Sequence, residues 1–227
     1  MRLVRGDARY DEYMTSSRTR RTRIILIALL SVAVLVLAAV IAVLVPILTH
    51  QSAGGSGQEV PESFVSEVSA TGADGRTRTL EVTAASGESF DPAAVTPGES
   101  LTVNGTGFDA AIGIYVAVCA IPNDPTVKPG PCLGGIPEGA KEGTADTAEL
   151  TSAWITDAWA WRAFATQGYN DAATGSFTTH IAVPDPVMEG LDCTVTRCAI
   201  TTRADHTAMQ DRVQDLFIPI AFAATEG

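Results

Sequence analysis

The stretch TRADHTAMQDRVQD, residues 202–215, crowds Arg203, Asp205, His206, Asp211, Arg212 and Asp215 into one short segment. Carboxylates and an imidazole can ligate a metal or carry protons. A metal site, however, needs donors that converge at fixed distances, and the intervals between Asp205, His206, Asp211 and Asp215 match no metal-binding spacing. The structural alternative is one or two helical turns over 205–215, with Asp205 as N-cap and Met209 one turn before Val213. Arg203 and Arg212 then pair with nearby aspartates and fix the segment across the end of a domain. Clusters of mixed charge are more often solvated faces than sites, so the segment reads as a cleft rim or docking edge.

A second group could bind rather than react. Trp154, Trp159 and Trp161 are the only tryptophans, and Phe164 and Tyr169 follow closely. If residues 158–162 are extended, Trp159 and Trp161 project from the same face. Such a face suits a cleft wall or a partner surface, with Ala158 and Ala160 leaving a groove beside the rings. It equally suits a packed core or an aromatic belt at a lipid interface. His50 and His180 have no partner that spacing identifies. Asn104-Gly-Thr matches a glycosylation sequon but reads as a turn. No G-x-S-x-G, Walker loop or H-E-x-x-H occurs, and the isolated Ser, His and Asp residues suggest no triad. Enzymatic chemistry is therefore not expected, and no cofactor is implied. A haem or metal role through His180, His206 or Tyr115 is a distant third reading.

The elements that must position these residues read as β-strands. RTRTLEVTAAS and SLTVNGTGFD alternate apolar and polar side chains, as does GSFTTHIAVP with Phe177, Thr179 and Ile181 on one side. GIYVAVCAIP is a continuous β-prone run that fits a strand buried on both faces, and CTVTRCAITT and LFIPIAFA complete the set. Pro97-Gly98 supplies turn chemistry. Strands and turns at this spacing predict an all-β, two-sheet sandwich of about seven strands over residues 76–227. The four cysteines, Cys119, Cys132, Cys193 and Cys198, form an even set that reads as two disulfides, with three pairings open. Zinc is disfavoured because no C-x-x-C appears. Cys132 lies in a proline-rich loop, residues 122–143, and is expected to tie back to Cys119. Closing a loop of about 15 residues stabilises by about 3 kcal/mol in the chain-entropy model.

Ahead of the sandwich, residues 24–48 run without a charge. As a helix they extend about 37 Å, enough to cross a hydrocarbon core of about 30 Å with some tilt. The apolar run exceeds the ~7–15 residues of a cleaved signal peptide, so it reads as a signal anchor. Residues 1–23 hold seven arginines against three acids, whereas the remainder carries 8 basic and 23 acidic side chains. Basic residues abutting one end of the helix predict a cytoplasmic N-terminus and an extracytoplasmic body at the cell membrane. The acidic body argues against nucleic acid as a partner, because phosphate backbones require clustered Lys and Arg. Residues 49–75, rich in Gly, Ser and acids, are expected to be a flexible spacer in which SFVSEV forms at most a short strand or helical turn.

SLTVNGTGF, IYVAVCA and CTVTRCAITT…DLFIPIAF together resemble the neocarzinostatin-like apoprotein family of actinobacteria, over roughly residues 78–223. The resemblance implies an acidic, seven-stranded immunoglobulin-like sandwich. It also implies one cysteine on a central strand tied to a nearby loop, matched by Cys119 and Cys132, and a C-x4-C pair on a late hairpin, matched by Cys193 and Cys198. Members carry an enediyne chromophore in a cleft between a sheet face and adjoining loops. This chain departs from them in its anchor, its longer proline-rich loop, and its aromatic segment around Trp154–Phe164 together with the long charged segment 202–215. A membrane-fixed chain makes a poor diffusible carrier, and the sandwich fold hosts many functions. The expectation is therefore a non-enzymatic interaction module docking onto a protein partner in the cell envelope. The alternative is a binder of a small hydrophobic or aromatic molecule. Trp154, Trp159, Trp161, Phe164, Tyr169, Arg203, Asp205, His206, Asp211 and Arg212 are the candidate contact residues for either role.

Overall fold

The computed structural model describes residues 7–86, 89–135 and 150–224, with side chains described from residue 20 onward. The chain divides into two compact units, Met1–Thr49 and His50–Gly227. The first contains one α-helix, α1 (Asp7–Thr49), whose stretch Arg20–Thr49 is long and apolar enough to cross a membrane. Pro46 lies within its last turn, where the lost hydrogen bond costs least. The start of the expected basic tail, residues 1–6, lies outside the described residues, as does the end of the proline-rich loop, including Lys141.

The second unit is built almost wholly of antiparallel sheet. Its strands are β1 (Glu67–Thr71), β2 (Thr77–Ala84), β3 (Ser100–Thr106), β4 (Ile114–Ala120) and β5 (Ser152–Ile155), followed by β6 (Phe177–Ala182), β7 (Val187–Met188), β8 (Leu191–Asp192), β9 (Cys198–Ala204) and β10 (Leu216–Ile220). One four-stranded sheet has the order β1-β2-β3-β6 and the other β10-β9-β4-β5, with β7-β8 as a small hairpin. Eight strands thus make the two main sheets, where about seven were expected. Alternation sets which residues face inward. Leu80, Val82, Leu101, Val103, Phe177 and Ile181 from the first sheet form one buried core with Ile114, Val116, Val118, Ile155, Ile200 and Ile218 from the second. Pro219 is tolerated because β10 is an edge strand. Gly105 is required where β3 meets the core aromatics, since a Cβ there would lie 2.2 Å from the Phe177 ring.

Both disulfides form, Cys119–Cys132 and Cys193–Cys198. The first closes a return of the proline-rich loop onto the second half of β4, where the Ala120 and Leu133 amides donate to Pro131 O and Val118 O at 2.9 and 2.8 Å. The loop therefore continues the sheet where β5 stops, since β5 pairs only with residues 114–117 of β4.

Much of the supposed spacer belongs to the body. Residues 67–71 are strand β1, in register with β2 from Glu67 opposite Glu81 to Thr71 opposite Thr77. Upstream, Gly55 bridges to Arg212, and Ala73 donates to Gly55 O at 3.0 Å. The Gln58 amide serves as a strand partner for the β10 edge. Its Nε2 donates to Phe217 O, and its Oε1 accepts from Phe217 N, both at 2.8 Å. A Gly- and Ser-rich composition read as freedom is thus restrained by contacts from residues far along the chain. Gln58→Ala removes both bonds to a buried strand and is expected to lower the unfolding free energy by about 1–3 kcal/mol. A shift of the urea midpoint with unchanged slope checks this, and an unmoved midpoint would make the strap dispensable.

Candidate functional site

Residues 205–215 close one end of the two sheets, but not as helical turns. Asp205 and Asp211 each fold their carboxylate back onto the backbone two residues ahead. The Thr207 amide donates to Asp205 Oδ1 at 2.8 Å, and the Val213 amide to Asp211 Oδ1 at 2.9 Å. These side-chain turns compete with the helical hydrogen-bond pattern and win, giving consecutive tight turns in place of an N-capped helix. Below them Arg78, 1 % exposed at the inner face of β2, donates to both oxygens of Asp74 at 3.0 and 2.6 Å and to Gln214 Oε1 at 2.7 Å. Gln214 Nε2 in turn donates to Asp109 O at 3.0 Å.

Other members of the charged group are paired one by one. His50 Nε2 meets buried Asp211 Oδ2 at 3.0 Å, so this histidine does have a partner, 161 residues away. Arg212 pairs with Asp215 at 2.9 Å and also donates to Met209 O. Arg203 departs from its expected aspartate. Its Nη1 donates to Pro129 O at 2.8 Å, and its Cζ stands 5.7 Å from the Tyr115 ring centre. The β-register explains this placement, because Arg203 and Trp154 lie directly across from Tyr115 on either side of β4.

The aromatic residues divide into two sets. Trp154, on β5, donates its indole Nε1 to Asp205 Oδ2 at 3.0 Å. Its ring lies 5.8 Å from Tyr115, 6.4 Å from Trp161 and 5.2 Å from His206. His206 meets Trp161 edge-on at 4.6 Å, and its Nδ1 shares a 3.2 Å hydrogen bond with the Tyr115 hydroxyl. Gly113 makes room for this cluster, since a Cβ there would fall 2.0 Å from Asp205 Oδ2. Tyr169 packs inward, 6.3 Å from Phe177, and its hydroxyl donates to Ile112 O at 3.0 Å. Trp159 and Phe164, in contrast, are 74 % and 76 % exposed. Residues 158–165 are turns, not the expected extended segment, because Ala158 O accepts from both the Trp161 and Arg162 amides, each at 2.9 Å. Trp159 and Trp161 therefore do not share a face. One stands in solvent while the other packs on His206.

Beside Tyr115 and Arg203, an open hollow of about 450 Å³ is bounded by Ala117, Cys132, Gly134 and Ser152. His180, on β6, shares a hydrogen bond with Thr102 Oγ1 at 3.1 Å and stands apart from the aromatic cluster. Among the described residues, no three His, Cys, Asp or Glu side chains converge to hold a metal.

Burial is the largest cause of the shifts at Tyr169, Tyr115, Lys128 and Asp215. It raises the Tyr169 phenol far above its ordinary range, and the Tyr115 phenol also rises, through burial and then Asp205. Burial, followed by the charges of Arg203 and Arg212, pushes Lys128 down to about 8. Asp215 is pushed up to about 7, because burial outweighs the Arg212 guanidinium and the Ala204 amide beside it. Sequence reading missed Tyr115 as the centre of the cluster, along with Arg78, Gln214 and Gln58. Only the cross-strand register offered a clue to Tyr115. No protein-family model, curated protein or solved structure matches this chain.

Trp154→Ala is expected to cost about 2 kcal/mol or more, whereas Trp159→Ser should move stability by no more than about 0.5 kcal/mol. Urea unfolding of both variants checks the contrast, and equal losses would refute it. Asp215, an acid with a raised folded-state value, favours folding fully below its ordinary 3.8, and that contribution is lost as pH rises to about 7. Asp74, held down mainly by its bond to Arg78, acts below this window. Stability should therefore decline from pH 4 to pH 7 in the native chain, and Asp215→Asn should flatten the decline.

Proposed function

We propose that this chain is a membrane-anchored, extracytoplasmic interaction module with no chemistry of its own. In this reading residues 24–48 form a single-pass anchor with a cytoplasmic N-terminus. The body is an immunoglobulin-like sandwich of the neocarzinostatin-like type, and the turn over residues 158–165 is its contact surface. The observation that carries the reading is the pairing of near-complete polar satisfaction below that turn with exposed Trp159 and Phe164 upon it. Trp154, Asp205, His206 and Tyr115 spend their polar groups on one another, a support more than a reaction centre. Two large aromatic rings left in solvent are the kind of anchor that contact surfaces use. The two short-range disulfides fall where the family resemblance implies them, which supports the sandwich type.

The hollow beside Tyr115 and Arg203 favours a second reading, a carrier of a small flat molecule bearing an anionic group. A ring would stack on the Tyr115 phenol while the anion met the Arg203 guanidinium. Native mass spectrometry of the chain extracted in mild detergent separates this reading, through an added mass of a few hundred daltons.

Hydroxyl-radical footprinting in native membranes tests the contact surface. Phe164 is 76 % exposed and Phe64 47 %, so a free turn would oxidise faster at Phe164. Docking predicts the reverse order, with Trp159 protected as well. Retention of the order set by exposure would overturn the reading.

A further inference from the structure

Three features of the body converge on one end. His50 is the residue immediately after Thr49, the last of the apolar helix, and its ring is held on Asp211 in the 205–215 turns. Those turns carry Met209, 57 % exposed, and reach the 158–165 turn through the Trp161–His206 contact at 4.6 Å. Trp159 and Phe164 project from that second turn, and Arg162 and Ala163 between them are also exposed. A chain that leaves a membrane after Thr49 therefore enters the body at the end that carries these side chains.

We infer that the 158–165 turn, with Met209, is a membrane-contact surface that seats Trp159 and Phe164 at the headgroup–acyl boundary of the bilayer holding the chain's own anchor. This deepens the proposed function by naming the partner of that turn, and it rests on residues 24–48 being the anchor. The side-chain chemistry fits such a boundary. Indole and phenyl rings settle where one side is apolar and the other wet, and tryptophan concentrates at that depth. Arg162 can keep its guanidinium among headgroup phosphates while its stem lies along the apolar layer. The attraction is apolar more than coulombic, because the chain after residue 23 carries 23 acidic against 8 basic side chains. A zwitterionic surface suffices. A protein partner would require some other feature to bring it to this end, whereas the bilayer is brought there by the chain itself.

The test uses the full-length chain reconstituted into phosphatidylcholine vesicles, with bromine on the acyl chains near the headgroups as a contact quencher. Flotation comes first, and a chain that fails to float with the vesicles overturns the anchor and this inference together. In floated protein, brominated lipid is expected to quench part of the tryptophan emission, and Trp159→Phe should abolish most of that quenching. Trp154 and Trp161, held within the cluster, serve as the unquenched remainder. Aqueous acrylamide then separates the failures. If Trp159 is reached by acrylamide and not by brominated lipid, the turn is uncovered at the membrane and the lipid assignment is wrong. If it is shielded from both, another copy or another chain covers it. The contact surface then stands, and the lipid assignment falls.

Discussion

The buried guanidinium of Arg78 is the constraint around which this end of the body is organised. A charge at the inner face of a sheet is costly unless it is neutralised and its N–H groups are matched. Asp74 supplies the opposite charge from the turn just before β2, and Gln214 supplies an acceptor from the turns that lead into β10. Because Gln214 must reach Arg78, residues 205–215 fold down across the end of the sheets. Gln214 also reaches Asp109, so the connection between β3 and β4 is held in the same network. The charged segment between the last two strands is thus a closure whose aspartates and arginines are spent on holding it in place.

That closure determines what the aromatic residues can do. With Asp205 fixed, its carboxylate is available to the Trp154 indole, and His206 is placed between Trp161 and Tyr115. Each ring in this layer has either a polar partner or an edge-on aromatic neighbour, an arrangement that adds to the area they bury. The exposed rings of Trp159 and Phe164 sit on a turn whose position is set by the layer beneath.

Several features could be read from one dimension. Inward and outward alternation in β2, β3 and β6 follows from the two-residue period of a strand, and each inward set appears in the core. The buried run of β4 and the length of the apolar helix are equally local properties. Errors arose where one local pattern admitted two outcomes. Residues 158–162 have strand-like rings, yet Ala158 O takes two amides and turns the chain. Residues 205–215 suit a helix by composition, yet Asp205 and Asp211 prefer the amides two residues on. Residues 49–66 look unconstrained because Gln58 and His50 find their partners about 160 positions later.

By itself, the sequence determined the β-rich class of the body, the faces of its strands, the apolar helix and the even set of cysteines. Each of these depends on composition or on a period of a few residues. Only the tertiary structure decided that Arg203 would meet Pro129 and Tyr115 instead of an aspartate, that Tyr115 would join Trp154 and His206, and that Trp159 would be left in solvent while Trp161 was not. Those outcomes depend on which strand lies beside which and on burial that makes an unpaired polar group costly. Cross-strand register and desolvation are properties of the folded whole, and no window of the chain contains them.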